Sequence, residues 1–149
     1  MNEERIRPKL QYFLTCAKPP TFWDGTPFDK VLGPEQGLLN DRCANFLEVI
    51  NFISSDVFPT KPIRVWFITG WVSDQAPCQF RFQVATTEEG RPQTRKIIQD
   101  TVLRVTDSRR VEVYVFPETI TLYAPVVLKI EILVDGFPEE TYRFEVEAE

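Results

Sequence analysis

The chain has 149 residues, of which 43% are hydrophobic and 26% charged, a balance that is typical of one globular domain and excludes an intrinsically disordered chain. Its net charge is -5 and it has no long run of lysine and arginine, so nucleic acid is not an expected partner. No stretch approaches the roughly 18 apolar residues of a membrane span, and the charged start of the chain has no signal-peptide core. We therefore expect no membrane partner either.

The chain has three cysteines and no histidine. An odd cysteine number without CxxC spacing favours a reducing compartment, so we predict a cytoplasmic protein with no structural disulfide. Without histidine, Ser-His-Asp and Cys-His catalysis and most zinc sites are excluded. The acidic residues are scattered, and Glu88-Glu89 are interpreted as hairpin charges. We expect no catalytic residue, no metal and no cofactor.

The first predicted element is a half-buried strand, in which apolar side chains alternate with polar ones. Its alternating apolar residues are Leu10, Tyr12, Leu14 and Cys16. Phe13 interrupts the alternation, so the second face of this strand is expected to be covered as well. Pro19-Pro20 ends the strand.

Residues 19–43 hold four prolines and three glycines and keep no period, which predicts a long irregular insertion. Three large aromatic residues lie in it, Phe22, Trp23 and Phe28. One interpretation is that they pack over an open end of the domain beside Trp71. The other is that they form an exposed patch for another protein, which makes them the candidate partner-binding residues.

Residues 44–54 are compatible with two structures. Phe46, Leu47, Ile50 and Ile53 have helical spacing, whereas the β-branched and aromatic content and the Val57-Phe58-Pro59 stop favour a strand. We predict a strand.

From residue 62 onward the chain predicts a series of strands separated by turns. Ile63–Ile68 is apolar on both faces and therefore central. In later segments one set of alternating residues is expected to face inward: Phe80, Phe82 and Val84; Val111, Val113 and Val115; Leu128, Ile130, Ile132 and Val134; Tyr142, Phe144 and Val146. Lys96–Val105 is predicted to form a short edge strand. Glu89-Gly90 is a turn, and Asp135-Gly136 is a tight hairpin turn.

Seven or eight strands of this kind predict an all-β fold, an antiparallel β-sandwich that forms a single domain over residues 1–149. One shared core should hold six inward-facing residues: Phe80, Phe82, Val113, Ile130, Ile132 and Phe144.

The chain from Lys9 onward resembles a family of uncharacterised bacterial β-sandwich proteins. The resemblance lies in the order of the strands, the Phe58-Pro59 pair, the strand that ends in Gly70-Trp71, and the final hairpin at Asp135-Gly136. It implies an immunoglobulin- or C2-type sandwich and supplies no catalytic residues. The 19–43 insertion departs from the family pattern, which has a short turn there.

Three functions remain open at this point. The first is a non-catalytic protein-binding or adaptor domain of a bacterial cytoplasmic multi-protein system. The second is a sensor that holds a small molecule or lipid between the sheets, in a cavity lined by Phe80, Phe82 and Tyr142. The third is an enzyme that uses carboxylates or Cys43. We predict the first, with a partner whose identity, like the oligomeric state, the sequence does not indicate.

Overall fold

The structure is a computed structural model that describes residues 7–18, 21–22, 44–45, 49–109 and 111–149, with 21–22 and 44–45 described by their backbone alone. Within these ranges every regular element is a β-strand, which confirms the all-β class. The strands in chain order are β1 (Lys9–Cys16), β2 (Thr21–Phe22), β3 (Ala44–Asn45), β4 (Phe52–Ser55), β5 (Ile63–Val72), β6 (Cys78–Glu88), β7 (Arg91–Val105), β8 (Glu112–Ile120), β9 (Leu128–Val134) and β10 (Phe137–Ala148).

These strands form two main sheets, one of three strands in the order β1-β5-β8 and one of five in the order β4-β10-β9-β6-β7. All neighbours in them are antiparallel except β4 and β10, which are parallel. The short strands β2 and β3 pair with each other. In this order β7 and β4 are the edges of the larger sheet, and β1 and β8 are the edges of the smaller one.

Aromatic rings from the two sheets meet in the core, which shows that the sheets pack face to face as in a β-sandwich. The Phe82 ring on β6 lies 5.4 Å from the Phe116 ring on β8, and the Trp71 ring on β5 lies 4.7 Å from that of Phe80. Burial of these large apolar surfaces is the main favourable term in the folding of such a domain.

The larger sheet follows the predicted alternation. Phe80, Phe82 and Val84 on β6 are buried, as are the inward residues of β9 and β10, apart from the half-buried Tyr142. The two turns are also confirmed, since Gly90, Asp135 and Gly136 have positive φ angles of 78°, 50° and 84°. Two consecutive positive φ values are what a type I′ hairpin turn requires.

The predicted facing of β8 is wrong. Tyr114 and Phe116 lie in the core between the sheets, together with five of the six predicted core residues, whereas Val113 and Val115 belong to a separate cluster. This outer cluster lies on the other face of the three-stranded sheet and consists of Cys16, Trp66, Ile68 and Val115 with Tyr12, Leu14 and Val113 packed against them. The alternating residues of β1 from Tyr12 to Cys16 therefore also face away from the main core.

The outer cluster explains two further features of the smaller sheet. It buries the second face of β5, so the prediction of a central strand that is apolar on both faces is confirmed. The Tyr12 ring lies directly over Gly70, where any Cβ would overlap it. Glycine at this position therefore allows the ring to lie close to the sheet.

Two boundaries differ from the predicted ones. The edge strand predicted from Lys96 begins earlier, at Arg91, because the polar residues after the turn continue the ladder with β6. The strand predicted over residues 44–54 is confirmed in part: Ala44–Asn45 and Phe52–Ser55 are strands and Val49 is bridged to Cys16, whereas the chain bends at Asn51. None of the described residues forms a helix of the length and hydrophobicity needed to cross a bilayer.

Candidate functional site

The predicted partner-binding residues fall largely outside the described part of the chain. Phe22 is described by its backbone alone, which pairs with Ala44 between β2 and β3. Trp23 and Phe28 lie outside the described residues. Binding of a partner by these three residues therefore stays a prediction.

The described residues offer a different candidate surface, the outer edge of β7. The backbone hydrogen bonds of Arg81 on β6 point towards β9. Its N–H donates to the carboxylate of Asp135, the residue that follows β9, and its carbonyl accepts from the Asp135 N–H, both at 2.9 Å. In an antiparallel ladder successive residues bond to opposite sides, so Phe80 and Phe82 bond towards β7. Their β7 partners are Leu103 and Thr101.

The same alternation identifies the backbone groups on the outer edge of β7. Residues between those bonded to β6, such as Val102, turn their N–H and C=O groups outward. A bulge at Ile98 then changes which residues of β7 face outward. Val84 pairs with Gln99 and the next β6 residue pairs with Ile97, so Ile98 is an extra residue in the ladder. Beyond the bulge Lys96 bonds to β6, and Arg95 and Ile97 are the outward residues.

Side chains cap outward backbone groups at the C-terminal end of β7 and directly after it. The Tyr114 hydroxyl on β8 donates to the Arg104 carbonyl at 2.6 Å and accepts from the Arg104 N–H at 3.4 Å. The Glu112 carboxylate accepts from the Thr106 N–H at 2.7 Å and also from the Thr106 hydroxyl. Such capping protects an edge strand against pairing with another chain.

The cap closest to the bulge comes from Gln99. Its side-chain oxygen accepts from the Asp100 N–H at 3.1 Å, and its amide donates to Glu118 on β8 at 3.1 Å. In the part of the chain that the structure describes, no side chain caps the outward backbone of Arg95 or Ile97. Within the described residues, the segment before the bulge is therefore the uncapped edge of β7, with two successive outward residues uncapped, whereas after the bulge the uncapped Val102 lies between the capped residues Asp100 and Arg104.

A groove of about 400 Å³ lies between this segment and the end of β8. Its volume is within the range of ligand pockets, about 300–1,000 Å³. Buried Ile120 and Leu128 contribute apolar surface, and exposed Tyr123 lies at the side. The lining residues are Thr86, Glu88, Gln93, Thr94, Arg95, Lys96, Ile98, Thr119, Ile120, Thr121, Tyr123 and Leu128.

Glu88 holds one wall of the groove in place. Its side chain is almost fully buried, and its Oε1 accepts from the backbone N–H groups of Tyr123 and Ala124 at 3.2 and 3.0 Å, with Arg91 Nη1 at 3.7 Å. Glu88 and Glu89 both lie at the hairpin between β6 and β7, but Glu88 is buried, whereas Glu89 forms an exposed ion pair with Arg143. Hydrogen bonds from the backbone compensate the burial of the Glu88 carboxylate.

Glu118 is the second carboxylate beside the groove. Burial raises the pKa of this carboxyl group to about 7, and the positive charges of Lys96 and Arg64 partly oppose that rise. Glu118 is thus a half-buried acid next to two cations, with Gln99 as its hydrogen-bond donor. Its charge changes near neutral pH, close to the uncapped edge of β7.

Other described regions offer less for chemistry. Burial raises the pKa of the Cys16 thiol to about 11, which keeps it protonated and unreactive at neutral pH. Cys43 lies outside the described residues. Between the sheets, Phe82 is fully buried against Trp71 and Phe116 rather than lining a cavity.

A second cavity and a metal site were also considered. A cavity of about 160 Å³ borders Tyr142 near residues 49–51, which is small for a ligand site. Among the residues that the structure describes, no three Cys, Asp or Glu side chains come together in a way that could hold a metal ion.

The chain matches no model of a protein family, and no curated protein matches its sequence.

Proposed function

We propose that this domain is a non-catalytic protein-binding module that adds an extended segment of a partner protein to β7 before the bulge. The observation that carries the proposal is the contrast along this edge. The outward N–H groups of Asp100, Arg104 and Thr106 donate to side chains. Among the described residues those of Arg95 and Ile97 do not, and they are two successive outward groups, whereas the uncapped Val102 is flanked by capped residues. A strand added here would gain main-chain hydrogen bonds.

The surroundings of the edge support the same proposal. Gln93–Ile97 is five residues long, which as a strand spans roughly 17 Å. The groove lies directly beside it, so alternate side chains of an added strand have a place to bind. In strand addition the backbone supplies affinity and such pockets supply specificity. The tight aromatic contacts of Phe82 weigh against the alternative of a ligand between the sheets.

The finer predictions belong to this proposal as well. We place the domain in a bacterial cytoplasmic multi-protein system, on the strength of the cysteine count and the family resemblance. The immunoglobulin- or C2-type topology rests on that resemblance too. An aromatic contact through Phe22, Trp23 and Phe28 is retained as a second binding surface. If it exists, Trp23→Ala abolishes partner capture at unchanged melting temperature, and a large fall in melting temperature with capture preserved would exclude it.

A proline placed on the outer edge of β7 tests the proposal. Ile97→Pro removes an outward N–H without breaking the ladder to β6, a position that edge strands tolerate. Val102→Pro is the matched control, because it removes an outward N–H on the same edge at a position that lies between the capped residues Asp100 and Arg104. Both variants should stay folded, as judged by thermal melting.

The probe is a phage-displayed library of random linear peptides, selected on the wild-type protein. We expect the enriched peptides to bind Ile97→Pro on the order of tenfold more weakly than wild type, because about 1.4 kcal/mol of main-chain hydrogen bonding is lost. Their affinity for Val102→Pro should equal that for wild type. Their binding should also slow hydrogen exchange at the Arg95 and Ile97 amides. Equal binding to both variants, or a selection that enriches nothing, would refute the proposal.

A further inference from the structure

The open segment of β7 is strongly basic for its length. Between Arg91 and Gln99 the sequence has three basic residues, Arg91, Arg95 and Lys96, and no acidic one, although the chain as a whole has a net charge of -5. Arg95 and Lys96 both line the groove. The positive charge is therefore concentrated where the proposed partner strand would bind.

The carboxylates around the groove are already engaged within the domain. Glu88 accepts two backbone N–H groups and lies 3.7 Å from Arg91, and Glu131 pairs with Arg95 at 3.1 Å. Glu118 is half buried and receives the Gln99 amide, and burial raises its pKa to about 7, so close to neutral pH it is only partly ionised. Acceptors for an incoming cation are thus scarce.

Donors remain available in the same groove. Lys96 is exposed and makes no salt bridge within 4 Å with any residue in the described ranges, although its positive charge partly opposes the rise that burial causes in the pKa of the neighbouring Glu118. The hydroxyl groups of Thr119 and Thr121 likewise make no hydrogen bond in that part of the molecule. An ammonium group and two hydroxyls beside an open strand edge match the hydrogen-bonding needs of a carboxylate.

We infer that the partner segment is acidic and that one of its carboxylates pairs with Lys96 while its backbone pairs with β7. This inference rests on the proposed strand addition and specifies the chemistry of the added strand. The ion pair lies at the surface, so it contributes selectivity and association rate more than affinity, and it weakens as salt is raised.

The peptides enriched by the library selection test the inference. We expect them to be rich in Asp and Glu and to bind Lys96→Glu on the order of tenfold more weakly than wild type, with a smaller loss for Lys96→Gln. Lys129→Glu is the matched control, because Lys129 is an exposed lysine on β9 outside the groove. The affinity of the Lys129→Glu variant for the peptides should stay at the wild-type value.

The outcomes separate this inference from the proposed function. If the enriched peptides lack acidic residues, or bind Lys96→Glu as well as wild type, the inference is overturned. If such peptides still lose binding to Ile97→Pro but not to Val102→Pro, strand addition stands without it. If no peptide is enriched, both fail.

Discussion

Truncating Phe82 to alanine tests the face-to-face packing of the two sheets. The Phe82 side chain is fully buried on β6, and its ring lies 5.4 Å from both the Trp71 and the Phe116 rings of the opposite sheet. Replacing a core phenylalanine by alanine costs about 3–5 kcal/mol, and each aromatic pair adds about 0.5–1.5 kcal/mol beyond its burial. Because two aromatic pairs are lost, we expect a loss towards the upper end of the range for a core phenylalanine, about 4–5 kcal/mol.

Urea and thermal unfolding followed by tryptophan fluorescence measure this loss. For a domain of this length about 1 kcal/mol shifts the melting temperature by roughly 2–4 °C, so the expected fall is on the order of 10–15 °C. Phe52→Ala is the control, since Phe52 on β4 is 51% exposed and should cost about 0.5 kcal/mol. A loss below about 1 kcal/mol for Phe82→Ala, or equal losses in both variants, would refute the packing argument.

Three further predictions follow from described residues. The pKa of Glu118 is raised in the folded state to about 7 from 4.5, so its protonated form favours folding. That contribution is complete below pH 4.5 and is lost as the pH rises through 7. Glu118→Gln should therefore be more stable than wild type at about pH 8. A difference in unfolding free energy between the two proteins that does not narrow towards about pH 4.5 would contradict this. Tyr114→Phe should cost about 1 kcal/mol and speed hydrogen exchange at Arg104, which an unchanged exchange rate would disprove. The denatured protein should titrate three thiols without reductant, since Cys16 and Cys78 are free; fewer would mean a disulfide.

The larger sheet could be predicted from the sequence because one of its faces packs on the core and the other meets solvent. In β6 the polar residues Arg81 and Gln83 alternate with Phe80 and Phe82, so the pattern itself states which face is buried. The same reasoning placed the inward residues of β9 and the hairpin turn at Asp135.

The smaller sheet could not be oriented in this way, because apolar residues cover both of its faces. In β8, Val113 and Val115 alternate with Tyr114 and Phe116, and Glu112 on the inner face is fully buried although its side chain is polar. Two apolar sets carry no information on which one faces the other sheet. The buried carboxylates Glu88 and Glu112 were missed for a related reason: their partners are backbone groups of connecting segments, and no spacing along a strand reveals them.

The position of the groove follows from the way in which β7 and β8 lie side by side at the edges of different sheets. Side-chain hydrogen bonds join the two strands, from the Thr106–Glu112 contact at one end to the Gln99–Glu118 contact at the other, so the residue numbers fall along β7 as they rise along β8. The bulge at Ile98 interrupts this series, because the extra residue changes which backbone groups of β7 face β8. Beyond it the strands are separated by the groove instead of being joined by caps. Deleting the extra residue should therefore extend the capping towards Arg91, so the one bulge accounts both for the uncapped edge and for the space beside it.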